Sequence, residues 1–463
     1  MRAGCAPRAA ALRASDGGLC SITSSVLRPP VSRMPIGSVR FGTLYHTPFE
    51  FPRAEGGGAV MLDRRLLYLT AFLRALGTGA IGVLLGVYLA KLGLGGGAIG
   101  AVIAAGLAGA AAAALVAALF GDRIGRRRLL LVFSLFSFAG TIGVAFSTSA
   151  APLALFAFFG MVNGMGRDRG AALVLEQAAL PALATPSDRT RVLAWYTMLQ
   201  DIGHAIGALA AGIPSIVEQG LGWGSGAAHQ STLSGVALLA LVGAAVYVRI
   251  GRKLDSDARE KKVALSPRSR GILVRISALF AVDSLAGGFL TTALLSYFFF
   301  ERFGASMGAI ALLFFGARVL NALSHLGAAW LARRIGLVNT MVFTHIPSSL
   351  LLVTVAFAPS FAVAALLFLI REGLVEMDVP TRQSYVLAVV APNERTFASG
   401  ITNLVRLGAW AVAPAFAGAL MGAGSLHLPL VIGACMKILY DLLLWRAFRH
   451  VRPPEEEDAA AAP

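Results

Sequence analysis

The stretch Gly121-Asp122-Arg123-Ile124-Gly125-Arg126-Arg127-Arg128 sets four arginines and one aspartate between two apolar runs, each long enough to cross a bilayer. A weaker copy, Arg333-Arg334-Ile335-Gly336, stands between two later runs. A tight charged turn between neighbouring spans, used twice, predicts a duplicated helical membrane protein. Working outward from the first copy, roughly twelve runs reach the ~20 mostly apolar residues that a spanning helix needs. Their limits are 66–90, 98–120, 129–148, 152–180, 191–217, 231–249, 273–299, 306–332, 338–357, 360–388, 397–422 and 427–448.

Composition points the same way. Only 14% of residues are charged and mean hydropathy is +0.73, whereas a soluble chain has about a quarter of its residues charged. The net charge of +16 does not read as nucleic-acid binding, because the basic residues recur in every second loop instead of gathering on one folded surface. Arg64, Arg65, the Arg123 to Arg128 cluster, Arg189, Arg191, the Arg249 to Arg275 segment, Arg333, Arg334, Arg395 and Arg446 to Arg452 share one side of the twelve-span arrangement. The other side has little beyond Lys91 and Arg302. The positive-inside rule therefore predicts an inner- or plasma-membrane protein with both termini cytoplasmic. Cys5, Cys20 and Cys435 supply neither a disulfide framework nor metal-ligand spacing. Without a Gly-Lys-Ser/Thr phosphate loop or a His-Glu-x-x-His run, no cofactor and no metal are expected.

The chain divides by composition. Residues 1–60 are Arg-, Ser-, Pro- and Gly-rich without helical periodicity, and read as a disordered or mis-assigned extension, with Met61-Leu62-Asp63-Arg64-Arg65 as the natural start. Residues 61–250 and 273–450 read as two six-span halves, 251–272 as a cytoplasmic loop between them, and 451–463 as a disordered acidic and Ala-rich tail. Duplication is visible in paired segments. Pro186-Ser187-Asp188-Arg189-Thr190 matches Pro392-Asn393-Glu394-Arg395-Thr396 at an offset of 206, the offset that also relates Gln177 to Gln383. Tyr88 and Tyr297 are 209 apart, and Arg123-Ile124-Gly125 and Arg334-Ile335-Gly336 are 211 apart.

Those residues carry a resemblance. Asp122-Arg123-x-Gly125-Arg126-Arg127 resembles the signature loop of the major facilitator superfamily, and the 6+6 layout is similar to that superfamily across residues 61–450. The chain departs from the family pattern at Ala118, where glycine is usual, and at Arg333, where the second copy has lost its aspartate. Asp378-Val379-Pro380-Thr381-Arg382-Gln383-Ser384-Tyr385 resembles a hallmark of a poorly characterised branch, which brings no substrate with it. The resemblance implies an all-α fold of two pseudo-symmetric six-helix bundles, and secondary transport by alternating access. Gly121, Asp122, Arg123, Gly125, Arg126 and Arg127 would then form a gating latch, the alternative being a merely topogenic basic loop.

Charges inside the spans are the candidate sites, because an ionisable residue at the bilayer centre costs at least ~2.5–3.5 kcal/mol and persists where it faces protein or water. Arg74 in span one and Asp283 in span seven stand 209 apart at corresponding places. They offer either an interhalf salt bridge or a carboxylate that carries protons. Span four holds Arg167, Asp168, Arg169 and Glu176; on a continuous helix Arg167 and Asp168 diverge, while Arg169 and Glu176 share a face. Span ten holds Glu372 and Glu376 at i, i+4, and Asp378 and Arg382 at i, i+4 with a Pro380 kink. Asp201, His204, Arg318, Asn321, His325 and Arg406 complete the set. Arg318, Asn321 and His325 approach one helix face, where His325 is either a proton relay or a packing residue. Gly203-x-x-x-Gly207 in span five pushes slightly toward antiport, or simply lets helices approach.

The expected protein is a monomer in the lipid bilayer that exchanges a small-molecule substrate and protons, not an enzyme and not a nucleic-acid binder. Asp283, Asp168, Glu372, Glu376 and His325 are the proton-coupling candidates. Export of amphipathic compounds is slightly favoured by Phe280, Phe289, Phe298 to Phe300, Phe314 and Phe315 in the cavity spans. The alternatives are uptake of a polar or anionic nutrient, and a transporter-like sensor that no longer translocates.

Overall fold

The computed structural model describes residues 58–168, 170–184, 188–251, 266–390 and 394–448. Residues 1–57, Arg169, most of the central loop and the tail lie outside the described residues. The described chain is almost entirely helical. Apolar runs become helices in lipid because each backbone N–H and C=O must find a partner within its own segment. Among the described residues nine helices are long and apolar enough to cross a membrane. Three of the twelve expected spans, four, five and ten, are missing from that set because they are interrupted or more polar, and four and ten contribute to the site.

In the first bundle, α1 (Gly58–Lys91), α2 (Gly96–Ile124) and α3 (Arg126–Phe146) are continuous. Span four is broken into α4 (Ala150–Gly160) and α5 (Ala171–Ala179), followed by a 3-10 turn at Leu180–Leu183. Span five is α6 (Arg189–Ala210) with α7 (Ile213–Leu221), and α8 (Ser225–Arg249) closes the bundle. In the second, span seven is α9 (Pro267–Phe289) and α10 (Thr292–Phe303), followed by α11 (Met307–Ile335) and α12 (Leu337–Ala356). Span ten is α13 (Phe361–Val375) and α14 (Asp378–Val389), and α15 (Arg395–Gly422) and α16 (Leu428–Phe448) complete it. Packing repeats between the bundles. Helix α1 lies on α6 and α8 as α9 lies on α15 and α16, and α3 lies on α8 as α12 lies on α16.

The two turns that announced the fold are both glycine-dependent. Gly125 ends α2 at φ 99 and Gly336 ends α11 at φ 84, a region that L side chains rarely adopt. Each caps its helix by donating its N–H four residues back, to Gly121 and Ala332.

Even-numbered passes return the chain to its starting face, so one end of the molecule carries both ends of the helical region. At the opposite end the bundles are welded. Gly96 and Gly100 of α2 meet Pro414, Gly418 and Gly422 of α15 backbone to backbone, and Gly86 of α1 meets Ala293 of α10. Gly212 packs on Gly308 and Ala311 of α11. One apolar core accordingly runs through both bundles at this end, from Leu84, Leu85 and Ile99 to Leu294, Phe298 and Phe299. Toward the termini the apolar core splits. Leu67, Leu130 and Leu175 anchor one cluster, which also takes in Leu407 and Trp410 of α15, whereas Leu273, Val342 and Leu444 anchor another. Large apolar side chains such as Phe146, Ile216, Leu312, Phe343 and Phe416 remain on the outside, where lipid would cover them.

Candidate functional site

The site starts from the break in span four. Met161 stops α4 with φ 51, and the chain from Val162 to Gly170 carries no regular helix until α5. Non-helical backbone at this depth survives only where protein supplies the missing hydrogen bonds. Its carbonyls find donors one by one. Gly164 O accepts from Ala293 N at 3.0 Å, Met165 O from Thr292 Oγ1 at 2.8 Å, Gly166 O from Arg318 Nη2 at 3.0 Å, and Arg167 O from Asn163 Nδ2 at 2.6 Å. Three of these four donors belong to the second bundle, so the broken span of one half is held by the other.

This corrects the helical reading of span four. Arg167 and Asp168 do diverge, but through an irregular loop; the expected face shared by Arg169 and Glu176 falls on Arg169, which lies outside the described residues. Arg167 turns across the interface to Glu376 Oε2 at 2.7 Å. Asp168 turns back into its own bundle, where it pairs with Arg74, accepts from Gln200 Nε2 at 3.2 Å, and donates its N–H to His204 Nε2 at 2.9 Å. Glu176 is fully buried. It accepts from Arg74 at 2.6 Å, Thr70 at 2.8 Å, Tyr196 at 2.7 Å and Tyr247 at 2.5 Å. Arg74 thus serves two carboxylates and two phenols within the first bundle.

A second network surrounds Asp283 on α9. Lys437 Nζ approaches at 3.0 Å, Arg382 Nη1 at 3.4 Å and Arg406 Nη2 at 3.5 Å. Arg382 also pairs with Asp378, as their i, i+4 spacing predicted. The proposed bridge between Arg74 and Asp283 is not formed, because each is enclosed by partners of its own bundle. Arg406 pairs with span seven instead of span ten, its guanidinium held over the rings of Phe280 (5.6 Å) and Trp410 (4.8 Å). From Lys437 the contacts continue to His345 Nε2 at 3.2 Å, and from His345 Nδ1 to Asp441 Oδ1 at 2.9 Å. An ammonium cannot accept, so Nε2 is the acceptor and the ring proton sits on Nδ1, donated to Asp441.

Span ten breaks at Glu376 and Met377, ahead of Pro380, which occupies the first turn of α14 where its missing N–H has no helical partner to lose. Glu372 and Glu376 still line one cavity but have different partners. Glu372 pairs with Arg371 and accepts from Asn321 Nδ2 at 3.0 Å, while Glu376 crosses to Arg167. Arg318, Asn321 and His325 do not converge on one partner. Arg318 serves the broken span and Asn321 serves Glu372, while His325 is half-buried with its Nδ1 lacking a hydrogen-bond partner among the described residues. Asp201 is exposed on α6, with Arg167, His325 and Arg318 as its charge neighbours.

The cavity between the bundles has a volume of about 120 Å³. Arg167, Arg318, Arg371, Arg382, Arg406 and Lys437 line it, against Asp283, Glu372, Glu376 and Asp378. Lys437, His345, Asp441, Tyr196, Tyr247 and Thr70 were not singled out from the sequence. For Lys437, Asp441 and His345 the signal was present, since they are polar residues inside spans twelve and nine. The tyrosines and the threonine carry no such signal, being unremarkable in apolar helices until a carboxylate is found beside them.

At the termini end, Asp122 is exposed and pairs with Arg126 four residues on, at 2.9 Å, not with a neighbouring helix. Arg126 and Arg127 make the outside links. Arg126 donates to Ala178 O at 3.0 Å and Arg127 to Tyr247 O at 3.1 Å, stitching the turn to spans four and six of the same bundle. Arg123 is exposed and Gly121 packs on Leu175. Gly203 and Gly207 sit against the α1 backbone at Phe72 and Leu76, which is the close-packing role.

A family model described as Major Facilitator Superfamily matches residues 67–406. The chain belongs to the major facilitator superfamily. A relative, the uncharacterized membrane protein YJR124C of Saccharomyces cerevisiae, is 24% identical over 416 residues, covering 82% of this chain and 93% of that protein. Among solved superfamily folds, the nucleoside transporter NupG matches with a TM-score of 0.66 at 14% identity, covering 84% of this chain and 99% of the other. A D-xylose-proton symporter matches with a TM-score of 0.62 at 15% identity, covering 84% and 98%. The fold is that of a multi-pass membrane transporter, not of an enzyme.

Proposed function

We propose that this superfamily member moves a small polar solute by alternating access, with Asp283 as the proton carrier. The observation that carries the reading is the placement of a charged cavity where spans four, seven and ten are all broken, between bundles that share one continuous core at one end and have largely distinct cores toward the other. Binding sites at discontinuous helices between two repeats are what rocking about a fixed midplane site requires. With the basic loops assigned to the cytoplasm, the unwelded end faces inward. The fold neighbours NupG and the xylose symporter, both transporters by name, favour translocation over a sensor.

The argument for amphipathic export weakens. Phe298 and Phe299 are fully buried, and Phe299 packs against Phe303, Phe314, Phe361 and Phe368 at centroid distances of 5.6–6.4 Å. Most of these rings fill a core; Phe314 and Phe368 also face the cavity, but ten charged side chains line it with them. Uptake of a polar nutrient fits that lining better than export of an oily one.

The test is reconstitution into vesicles loaded with a pH dye, with a solute screen and the variant Asp283→Asn. Solute-dependent proton flux is expected in the native protein and its loss, with binding retained, in the variant. Unchanged uphill transport in Asp283→Asn removes the proton role from Asp283. No flux with any solute over a broad panel returns the reading to a non-translocating sensor.

A further inference from the structure

The ion pairs in the cavity can be matched off. Arg167 takes Glu376, Arg371 takes Glu372, and Arg382 takes Asp378. One lining carboxylate, Asp283, remains for Lys437 and Arg406 together, and it also feels Arg382. Arg318 has no carboxylate at ion-pair distance among the described residues; its head group rests on Gly166 O and, at 3.4 Å, on Thr292 Oγ1. Arg371, only 6% exposed, keeps a buried Nε without a hydrogen-bond partner among the described residues. Among the described residues the cavity wall therefore carries two more cations than anions. Two other carboxylates act from behind it: Asp441 is engaged by His345, and Asp201, exposed on α6 outside the lining, has Arg167 and Arg318 as charge neighbours and offsets part of that excess.

An uncompensated cation away from water is costly, and a guanidinium offers a planar fork matched to carboxylate and phosphate oxygens. Arg406 is moreover fixed between two rings, so little side-chain freedom is lost when an anion arrives. We propose that the solute bound here is a small organic oxyanion, a carboxylate or phosphate compound, and that a dianion is held more tightly than the monoanion of the same skeleton. Arg406 and Arg318 are its principal partners. The proposal deepens the transport reading but does not depend on flux, since binding alone tests it.

Full-length protein in detergent would be titrated at constant ionic strength with succinate, monomethyl succinate, inorganic phosphate, glucose 6-phosphate, glucose and choline, and its melting followed by intrinsic fluorescence. At least one dianion is expected to raise the melting temperature, with half-saturation tenfold or more below that of its less charged analogue, succinate against monomethyl succinate or glucose 6-phosphate against glucose. A response confined to succinate assigns a carboxylate solute, and one confined to the phosphates assigns a phosphate solute. Arg318→Gln and Arg406→Gln, made separately, should each weaken the dianion tenfold or more and narrow its advantage. Arg318→Gln removes no ion pair, so it keeps the test open if Arg406→Gln fails to fold. No response to any dianion, a stronger response to glucose or choline, or an unchanged dianion response in Arg318→Gln overturns the proposal. Dianion binding without counterflow in vesicles would remove the transport reading and leave this one; counterflow of a neutral or cationic solute would do the reverse.

Discussion

Adding one methyl group at Gly418 should unseal the welded end. A Cβ there would lie 2.4 Å from Gly96 O, 2.6 Å from Gly100 Cα and 2.8 Å from Gly100 N, whereas ordinary contact begins at 3.4 Å. All three atoms are backbone, so no side chain can swing aside. Helices α2 and α15 must separate by about 1 Å, and they can do so by rocking the bundles without unfolding either. Overpacking of this kind costs about 1–3 kcal/mol, which shifts a two-state equilibrium roughly 5- to 150-fold toward the conformation that lacks the contact. The assay is a spin-label distance between Leu94→Cys and Ala423→Cys, in the loops beside the seal, in a background free of other cysteines. Gly418→Ala should move the distribution to longer distances with little change in melting temperature. An unchanged distribution in a folded variant would refute the claim that this glycine contact holds the closed end.

Other consequences follow from the same geometry. Glu376→Gln leaves Arg167 without its carboxylate; because the two side chains are 20% and 16% exposed, the cost should fall below the ~3–5 kcal/mol of a fully buried pair. The charge swap Arg167→Glu with Glu376→Arg should recover part of it, as read by thermal melts. Tyr196→Phe and Tyr247→Phe each delete a hydrogen bond to the buried Glu176 carboxylate, worth about 1.5–3 kcal/mol for a charged acceptor, and the double variant should lose less than the sum, since both donors serve one group. Dianion binding by the detergent-solubilised protein in weak buffer should take up protons, detected by a pH dye, and Asp283→Asn should abolish the uptake while retaining binding.

Much of this architecture is legible in the chain because lipid imposes a simple rule on it. Apolar runs of sufficient length must be helices, and the Gly125 and Gly336 turns announce their own backbone requirement, so the spans and the duplication follow directly. The site is less legible, and the reason is specific. The reasoning about Arg167, Asp168 and Glu176 assumed a continuous helix, yet Val162 to Gly170 is held open by Thr292, Ala293 and Arg318, residues more than a hundred positions away that no local pattern connects to it. Pairing Arg74 with Asp283 failed for a related reason. Equivalent positions in two repeats face equivalent surroundings, so each found partners in its own bundle before it could reach the other. Asp378 and Arg382 were read correctly because an i, i+4 pair inside one helix depends on nothing beyond that helix.

The distribution of these partners bears on how proton and solute could be linked. Among the described residues, the ion pair that crosses between bundles is Arg167 to Glu376; the sets around Glu176 and Asp283 are each internal to one bundle. Rocking the bundles as rigid bodies therefore breaks few charge contacts, which keeps both end states within reach of thermal energy. For the same reason rocking cannot by itself free Asp283, whose partners on α14, α15 and α16 move with it. Something inside the bundle must compete for those cations. An oxyanion on Arg406, one of its two principal partners, would do so, leaving Asp283 with Lys437 and a share of Arg382, and a carboxylate deprived of a cation at that depth gains a proton more readily than before. Solute and proton would then enter the cavity together and leave together, so that the welded and unwelded conformations need only exchange around a site whose net charge has been restored.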